Sequence, residues 1–340
     1  MIMLAALLFV VGSVISALSP GATVLILARV AIGFAIGLAS AACPVYISEV
    51  APANVRGRLV TLFQLAVTVG ILVAYGVGLA LEPSGSWEWM LALGALPAIL
   101  LGVGIAAMPQ SPRWLVMIGD SVRARHELLK LRPDVDGVDD ELREIERTLS
   151  AEQGSWRDLR RPAVRAALVV GVGLAILQQV TGINTVIYYA PTIIQDTGID
   201  SNSAAILASV GVGLVNVLAT VLALWLVSRF GRRPLLFVGV TGMVVALVAL
   251  GLAFEVGSGG EGLASLAVIA LMVYVGSFAI SLGPIFWLLN SEIYPLKARG
   301  RAAGVGTMAN WASNFAISLT FLPLLNALGS APTFWLYAAV

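Results

Sequence analysis

The chain has 340 residues, 59% hydrophobic and 11% charged, with 20 Lys/Arg against 19 Asp/Glu. A soluble domain carries about 25% charged residues, so this composition points into a bilayer. The near-neutral balance says nothing in favour of nucleic acid as a partner, the one cysteine (Cys43) excludes an intrachain disulfide, and the one histidine (His126) argues against a histidine-built metal cluster or a Ser-His triad.

The predicted elements are apolar runs at 2–18, 22–47, 59–81, 87–108, 163–190, 203–227, 234–254, 263–290 and 302–326, with a tenth starting near 332. Each complete run is near or above the roughly 20 residues that cross a bilayer, and a helix is the open-ended element that satisfies its own backbone in lipid. Met1–Ala17 leads straight into further apolar segments, without the small-residue cleavage site of a secretory signal. The second run contains Arg29, a costly charge inside a span. Two readings stand for it: a cation facing the protein interior with an acidic partner, or one near the outer surface that snorkels. No Asp or Glu lies in the middle of any run.

Between the fourth and fifth runs, residues 109–162 are strongly charged and cannot enter lipid. Val138, Leu142, Ile145 and Leu149 follow helical spacing, and Asp139 and Asp140 favour a helix start. This segment is expected to form short amphipathic helices linking two halves, with His126 on a solvated face. Two mid-span sites weaken helix hydrogen bonding: Gly182 before Asn184, and Gly283-Pro284 before Trp287. They suit a gate that bends, or close packing.

Charge sets an orientation. Arg56/Arg58, the eleven Lys/Arg of 109–165, Arg229/Arg232/Arg233, and Lys297/Arg299/Arg301 account for 19 of the 20 basic residues. They alternate with loops carrying only acids, such as Glu82, Glu88, Asp196, Asp200, Glu255 and Glu261. The positive-inside rule places the four basic regions in the cytoplasm, and nine spans keep the alternation.

A repeat crosses the chain. Ser48-Glu49, Pro52 and Arg56-Gly57-Arg58 return as Ser291-Glu292, Pro295 and Arg299-Gly300-Arg301, at an offset of 243 residues. Duplicated helical bundles are a transporter plan. The same offset places the counterparts of the first two second-half helices before Met1, so roughly 80 residues are expected to be missing there, and the last helix is expected to be cut near its start. A genuinely shorter protein is the alternative.

"YISEVAPANVRGRLV", "PQSPRWL", "QQVTGINTVIYYAPTI", "RFGRRPLL", "GPIFWLLNSEIYPLKARGRA" and "NWASN" stand in order and spacing. Together they resemble the sugar porter family of the major facilitator superfamily, the glucose- and xylose-type transporters, over essentially the whole chain. Gln110 departs from the family's usual Glu in P-E-S-P-R. The resemblance implies an all-α membrane protein of the major facilitator superfamily fold. Residues 1–108 are the N-terminal bundle, 109–162 the cytoplasmic linker and 163–340 the C-terminal bundle. The implied function is secondary active transport of a monosaccharide by alternating access, coupled to protons, in a bacterial inner membrane. A facilitator or a non-transporting sugar sensor of the same fold is the alternative. Partners are the sugar, protons and lipid; no cofactor, metal or nucleic acid is expected, and a monomer is the expectation.

Sugar hydroxyls both donate and accept, and amides match both functions without the cost of a buried charge. The resemblance carries sugar contact onto Gln64, Gln178, Gln179, Asn184, Asn216, Asn310 and Asn314, of which Asn310 and Asn314 share a helix face. It adds Trp287 and Trp311 as stacking faces and Tyr188 as a gate or contact. Interhelical hydrogen bonding is the other use of such amides, and lipid anchoring the other use of such tryptophans. The resemblance makes Arg29 the partner of a proton-carrying acid. It makes Glu49, Arg56, Arg58, Arg232, Arg233, Glu292, Arg299 and Arg301 a cytoplasmic gate network, against the plainer reading of an orientation signal. No P-loop occurs, and the spans lack acids, histidine and metal ligands, so neither an ATP-driven pump nor an enzyme is expected.

Overall fold

A computed structural model describes residues 1–52, 55–132, 137–151, 156–196, 201–256, 261–295 and 298–340. Among these, regular structure is entirely helical. The helices are α1 (Ile2–Ala17), α2 (Ala22–Val50), α3 (Arg56–Leu81), α4 (Trp87–Leu93), α5 (Ala95–Ala107), α6 (Pro112–Met117), α7 (Ser121–Leu131), α8 (Val138–Ala151) and α9 (Pro162–Val180). They continue with α10 (Ile183–Tyr188), α11 (Ala190–Gln195), α12 (Asn202–Phe230), α13 (Arg232–Glu255), α14 (Glu261–Ile280), α15 (Leu282–Glu292), α16 (Arg299–Leu328) and α17 (Ser330–Ala339). Among the described residues eight helical stretches are long and apolar enough to cross a membrane, and Ile2–Ala17 is a shorter apolar helix. Their bounds track the apolar runs because span length is dictated by hydrocarbon thickness.

Three of the runs are broken. The fourth divides at Gly94 into α4 and α5. The fifth divides at Gly182, whose φ of 81° lies in the left-handed region that glycine adopts without penalty, and again at Tyr189 before Pro191. The eighth divides at Ser281, a turn ahead of Gly283-Pro284. Pro284 lacks the N–H that would bond the carbonyl of residue 280, so the helix yields upstream of the proline rather than at it.

The chain forms two compact units: Met1–Phe63 with Leu81–Gln153, and Gln64–Ala80 with Gly154–Val340. The middle of α3 therefore belongs to the second unit.

In the first unit α1 packs on α2, α4 and α5. The charged segment folds into α6, α7 and α8. Ser111 caps α6, its Oγ accepting from Trp114 N at 3.1 Å, and Asp120 caps α7, accepting from Arg123 N at 3.0 Å. These caps satisfy donors that the first helical turn leaves open. Val138 is buried, while Leu142, Ile145 and Leu149 are half-buried on one face of α8. His126 is exposed.

In the second unit α13 packs on α14 and α17, α12 on α14, and α9 on α16. Lipid supplies no hydrophobic drive between helices, so close approach of backbones and van der Waals contact hold them. Gly239 and Gly242 of α13 lie against Ser281 and Ser277, leaving no room for a Cβ. The apolar core around Leu247, Leu271, Tyr274, Val275 and Phe334 fills the space between these helices.

Candidate functional site

The break at Gly182 sets the site. It turns the chain so that the last turn of α9 carries Gln178 and Gln179 and the first turn of α10 carries Asn184. Gln178 and Gln179 are buried and Asn184 is half-buried. Gln179 Nε2 donates to Asn310 Oδ1 at 3.1 Å and to Gln178 Oε1 at 3.4 Å. Asn184 Nδ2 donates to Gln179 Oε1 at 2.7 Å. Asn310 Nδ2 donates to Gln178 Oε1 at 2.6 Å and to Ala175 O at 3.3 Å. Gln178 Nε2 reaches the Leu282 carbonyl of α15 at 2.8 Å, just after the second break. Four amides from α9, α10 and α16 thus form one chain. In low dielectric each of these bonds is electrostatically stronger than it would be in water.

Asn314 lies one turn beyond Asn310 and is buried; its Oδ1 accepts from Ser318 Oγ at 3.2 Å. Asn314 Nδ2 and Trp311 Nε1 are buried donors with no hydrogen-bond partner. Most buried polar groups are paired, so two orphan donors on one helix stretch mark a place where an acceptor belongs. Trp287 is half-buried and meets Phe286 edge to face at 4.9 Å. Tyr188 is exposed at the end of α10. Gln64 on α3 is half-buried and Asn216 on α12 is buried. Among the described residues neither amide bonds to the four-membered chain.

Arg29 is exposed on α2, and among the described residues no acid lies within ion-pair distance of it. Glu49, at the end of α2, accepts from Ser111 Oγ at 2.5 Å. Its repeat partner Glu292, at the end of α15, pairs with Arg232 at 2.5 Å. Arg233 lies over Phe237 at 6.0 Å and Arg301 over Trp156 at 5.9 Å, while Arg299 Nε donates to Tyr294 O at 3.3 Å. The side chains of Arg56 and Arg58 lie outside the described residues. Gln110 accepts from Arg123 Nη2 at 3.2 Å.

Residues 1–340 match the family described as sugar (and other) transporter. The chain belongs to this family. It is 41% identical to the galactose-proton symporter of Escherichia coli strain K12 over all of this chain and 73% of that protein. It is 39% identical to the D-xylose transporter of Levilactobacillus brevis over 98% of this chain and 73% of that protein. The partially occluded, inward-open structure of the xylose transporter XylE from E. coli matches with a TM-score of 0.86 and 31% identity, covering 99% of this chain and 77% of that one. The fold is that of the major facilitator superfamily, as the sequence motifs imply. The protein is a membrane-embedded secondary transporter of sugar, not a catalyst.

Apart from Tyr188, sequence reading did not single out the tyrosines that surround the site. Tyr274 OH donates to Thr181 O at 2.6 Å, Tyr75 OH donates to Ile187 O at 2.5 Å, and the Tyr337 ring packs on Gly182. The readable signal was Pro191, which leaves a carbonyl four residues earlier without its helical donor.

Proposed function

We propose that Gln178, Gln179, Asn184 and Asn310 are the polar floor of a monosaccharide site. Asn314, Trp311, Trp287 and Tyr188 border it, with Gln64 and Asn216 as further contacts. The observation that carries this reading is a linked chain of uncharged amides ending beside two unpaired buried donors. Each amide can trade a bond with its neighbour for one with a sugar hydroxyl, so the empty site keeps its polar groups satisfied.

Transport is proton-coupled in this reading, as the names of several relatives support, and Arg29 is the cation that tunes the proton-carrying acid. A nearby guanidinium lowers a carboxyl's pKa, and its withdrawal raises it. Labelled D-galactose and D-xylose uptake into vesicles tests both points. A pH gradient, acid outside, is expected to drive accumulation; Arg29→Leu should abolish that accumulation while sugar exchange persists. Accumulation that survives Arg29→Leu would remove Arg29 from coupling, and uptake indifferent to the gradient would make the protein a facilitator.

Residues 1–108 and 163–340 act as the two bundles of the cycle, joined by 109–162 on the cytoplasmic face of a bacterial inner membrane. The charge alternation and the repeat support this. Glu49 with Ser111, and Glu292 with Arg232, are the latches that each half contributes; Arg56, Arg58, Arg233, Arg299 and Arg301 complete the gate. The Glu292–Arg232 pair is exposed, and such pairs are worth about 0–1 kcal/mol each, weak enough to break in every cycle. In a Cys43→Ser background, cysteines at Ser84 and Ser201 should react with an impermeant thiol reagent from outside, and one at Ser121 should not. The reverse pattern would invert the orientation.

A further inference from the structure

α10 is six residues long, and its two ends are held in the same way. In a continuous helix the Ile187 carbonyl would accept from the N–H of residue 191, but that residue is Pro191. The Tyr75 hydroxyl of α3 takes the vacant place, donating to Ile187 O at 2.5 Å. At the other end the Tyr274 hydroxyl donates to Thr181 O at 2.6 Å, beside the left-handed Gly182. Tyr75 reaches its position because α12 offers Gly213 there; a Cβ at 213 would stand 3.1 Å from Tyr75 Cδ2. Between the two clasped carbonyls lies Asn184, bonded to Gln179, and directly after the second comes the exposed Tyr188.

We propose that Tyr75 is a positioning residue for transport: its hydroxyl supplies the donor that Pro191 cannot, and so fixes where α10 presents Asn184 and Tyr188. The role rests on the reading of the amide chain as the sugar site. The bond is a single uncharged contact from a side chain to a main-chain oxygen. It can open and close without separating charges in lipid, and the helix is interrupted on each side of α10, at Gly182 and Tyr189.

The experiment uses the full chain in proteoliposomes. Tyr75→Phe keeps the ring against Gly213 and deletes the hydroxyl. The half-saturating concentration for D-xylose or D-galactose exchange is expected to rise about three- to tenfold, the loss of one hydrogen bond, with the maximal rate changed far less. Adding Pro191→Ala gives Ile187 O a backbone donor and should bring half-saturation back toward wild type. In a Cys43→Ser background, a cysteine replacing Tyr188 should be alkylated several-fold faster when Tyr75→Phe is present. A purely structural role would lower the yield of folded protein and the maximal rate, and would give no rescue by Pro191→Ala. Unchanged half-saturation in Tyr75→Phe, where Asn184→Ala raises it, overturns the positioning role. If Asn184→Ala has no effect, the sugar-site reading fails instead, and unchanged alkylation at position 188 then overturns the tether separately. Should Tyr75→Phe not fold, the Tyr75→Phe/Pro191→Ala double variant is read, and half-saturation far from wild type there overturns the proposal.

Discussion

Gln178, Gln179, Asn184 and Asn310 hold one another with uncharged amides inside the spans, whereas Arg125, Arg132, Asp139 and Glu141 hold α7 and α8 with full charges outside them. Arg132 forks onto Glu141, with Nη2 2.7 Å and Nε 2.8 Å from its carboxylate oxygens, and a third donor reaches the Val50 carbonyl at 3.1 Å. Arg125 meets Asp139 at 2.6 Å. The difference follows from the cost of desolvation. A charge in hydrocarbon costs several kcal/mol, so the buried network is built from groups that need no counter-ion. In water a charge is cheap, and an ion pair there adds little unless it is sheltered. The contrast predicts that amide changes act on the ligand, and that linker changes act on stability in proportion to burial.

The largest expected effect is in the amide chain. Gln178→Ala or Asn184→Ala should weaken sugar binding by about 1–3 kcal/mol, because a sugar hydroxyl loses its partner, while folding and membrane insertion stay largely intact. Equilibrium sugar binding to the purified protein checks this. Unchanged affinity in both variants would make the chain an interhelical tie and dissolve the contrast. Next is Arg132, whose side chain is 11% exposed against 32% for Glu141. Arg132→Ala should lower unfolding stability by about 1–2 kcal/mol, and Arg132→Lys should recover only part, since an ammonium cannot make the fork. A thermal melt unmoved by Arg132→Ala would show that the fork carries no stability.

The smallest effect belongs to an exposed pair, Arg125 and Asp139. The Arg125 hydrogen bond and charge hold the Asp139 carboxyl below its ordinary value. A carboxyl lowered in the folded state stabilises above its unfolded pKa of about 3.9, and that contribution is lost as pH falls through the lowered folded value. The α7–α8 contact should therefore be flat from neutral pH down to about 5 and weaken only in stronger acid. Carboxyl titration by NMR should place the Asp139 midpoint below about 3.9, and Arg125→Ala should return it to the ordinary range. A midpoint already ordinary in the native chain would show that water screens the pair completely.

The spans were legible because bilayer thickness forces a run length, and the linker helices because Val138, Leu142, Ile145 and Leu149 keep a 3.6-residue period. The kink at Gly182 was legible from a mid-span glycine two residues before the polar Asn184. The break at Ser281 was displaced from Pro284 because proline acts on the preceding turn. Which amides would touch was not legible: Gln179 and Asn310 are 131 residues apart, and sequence carries no distance for such a pair. Tyr75 escaped for the same reason. Pro191 announces a vacant carbonyl, yet any hydroxyl in the fold could have filled it. The pairing of Glu292 with Arg232 was likewise open among several arginines, and Ser111 was not among the residues expected beside Glu49.

The lengths of α12 and α16, 29 and 30 residues, have a mechanical meaning. At 1.5 Å per residue each is about 44 Å long, against a hydrocarbon slab of about 30 Å. The surplus must be taken up by tilt or carried into the headgroups. At one end of α12, Arg229 lies over Trp225 at 5.2 Å, the kind of aromatic-cation pair that sits at headgroup depth. A thinner bilayer demands more tilt from these helices and a thicker one less. Acyl-chain length at constant headgroup is therefore a load on the helices that carry Asn216, Asn310 and Asn314, and the host membrane is a working part of the transporter.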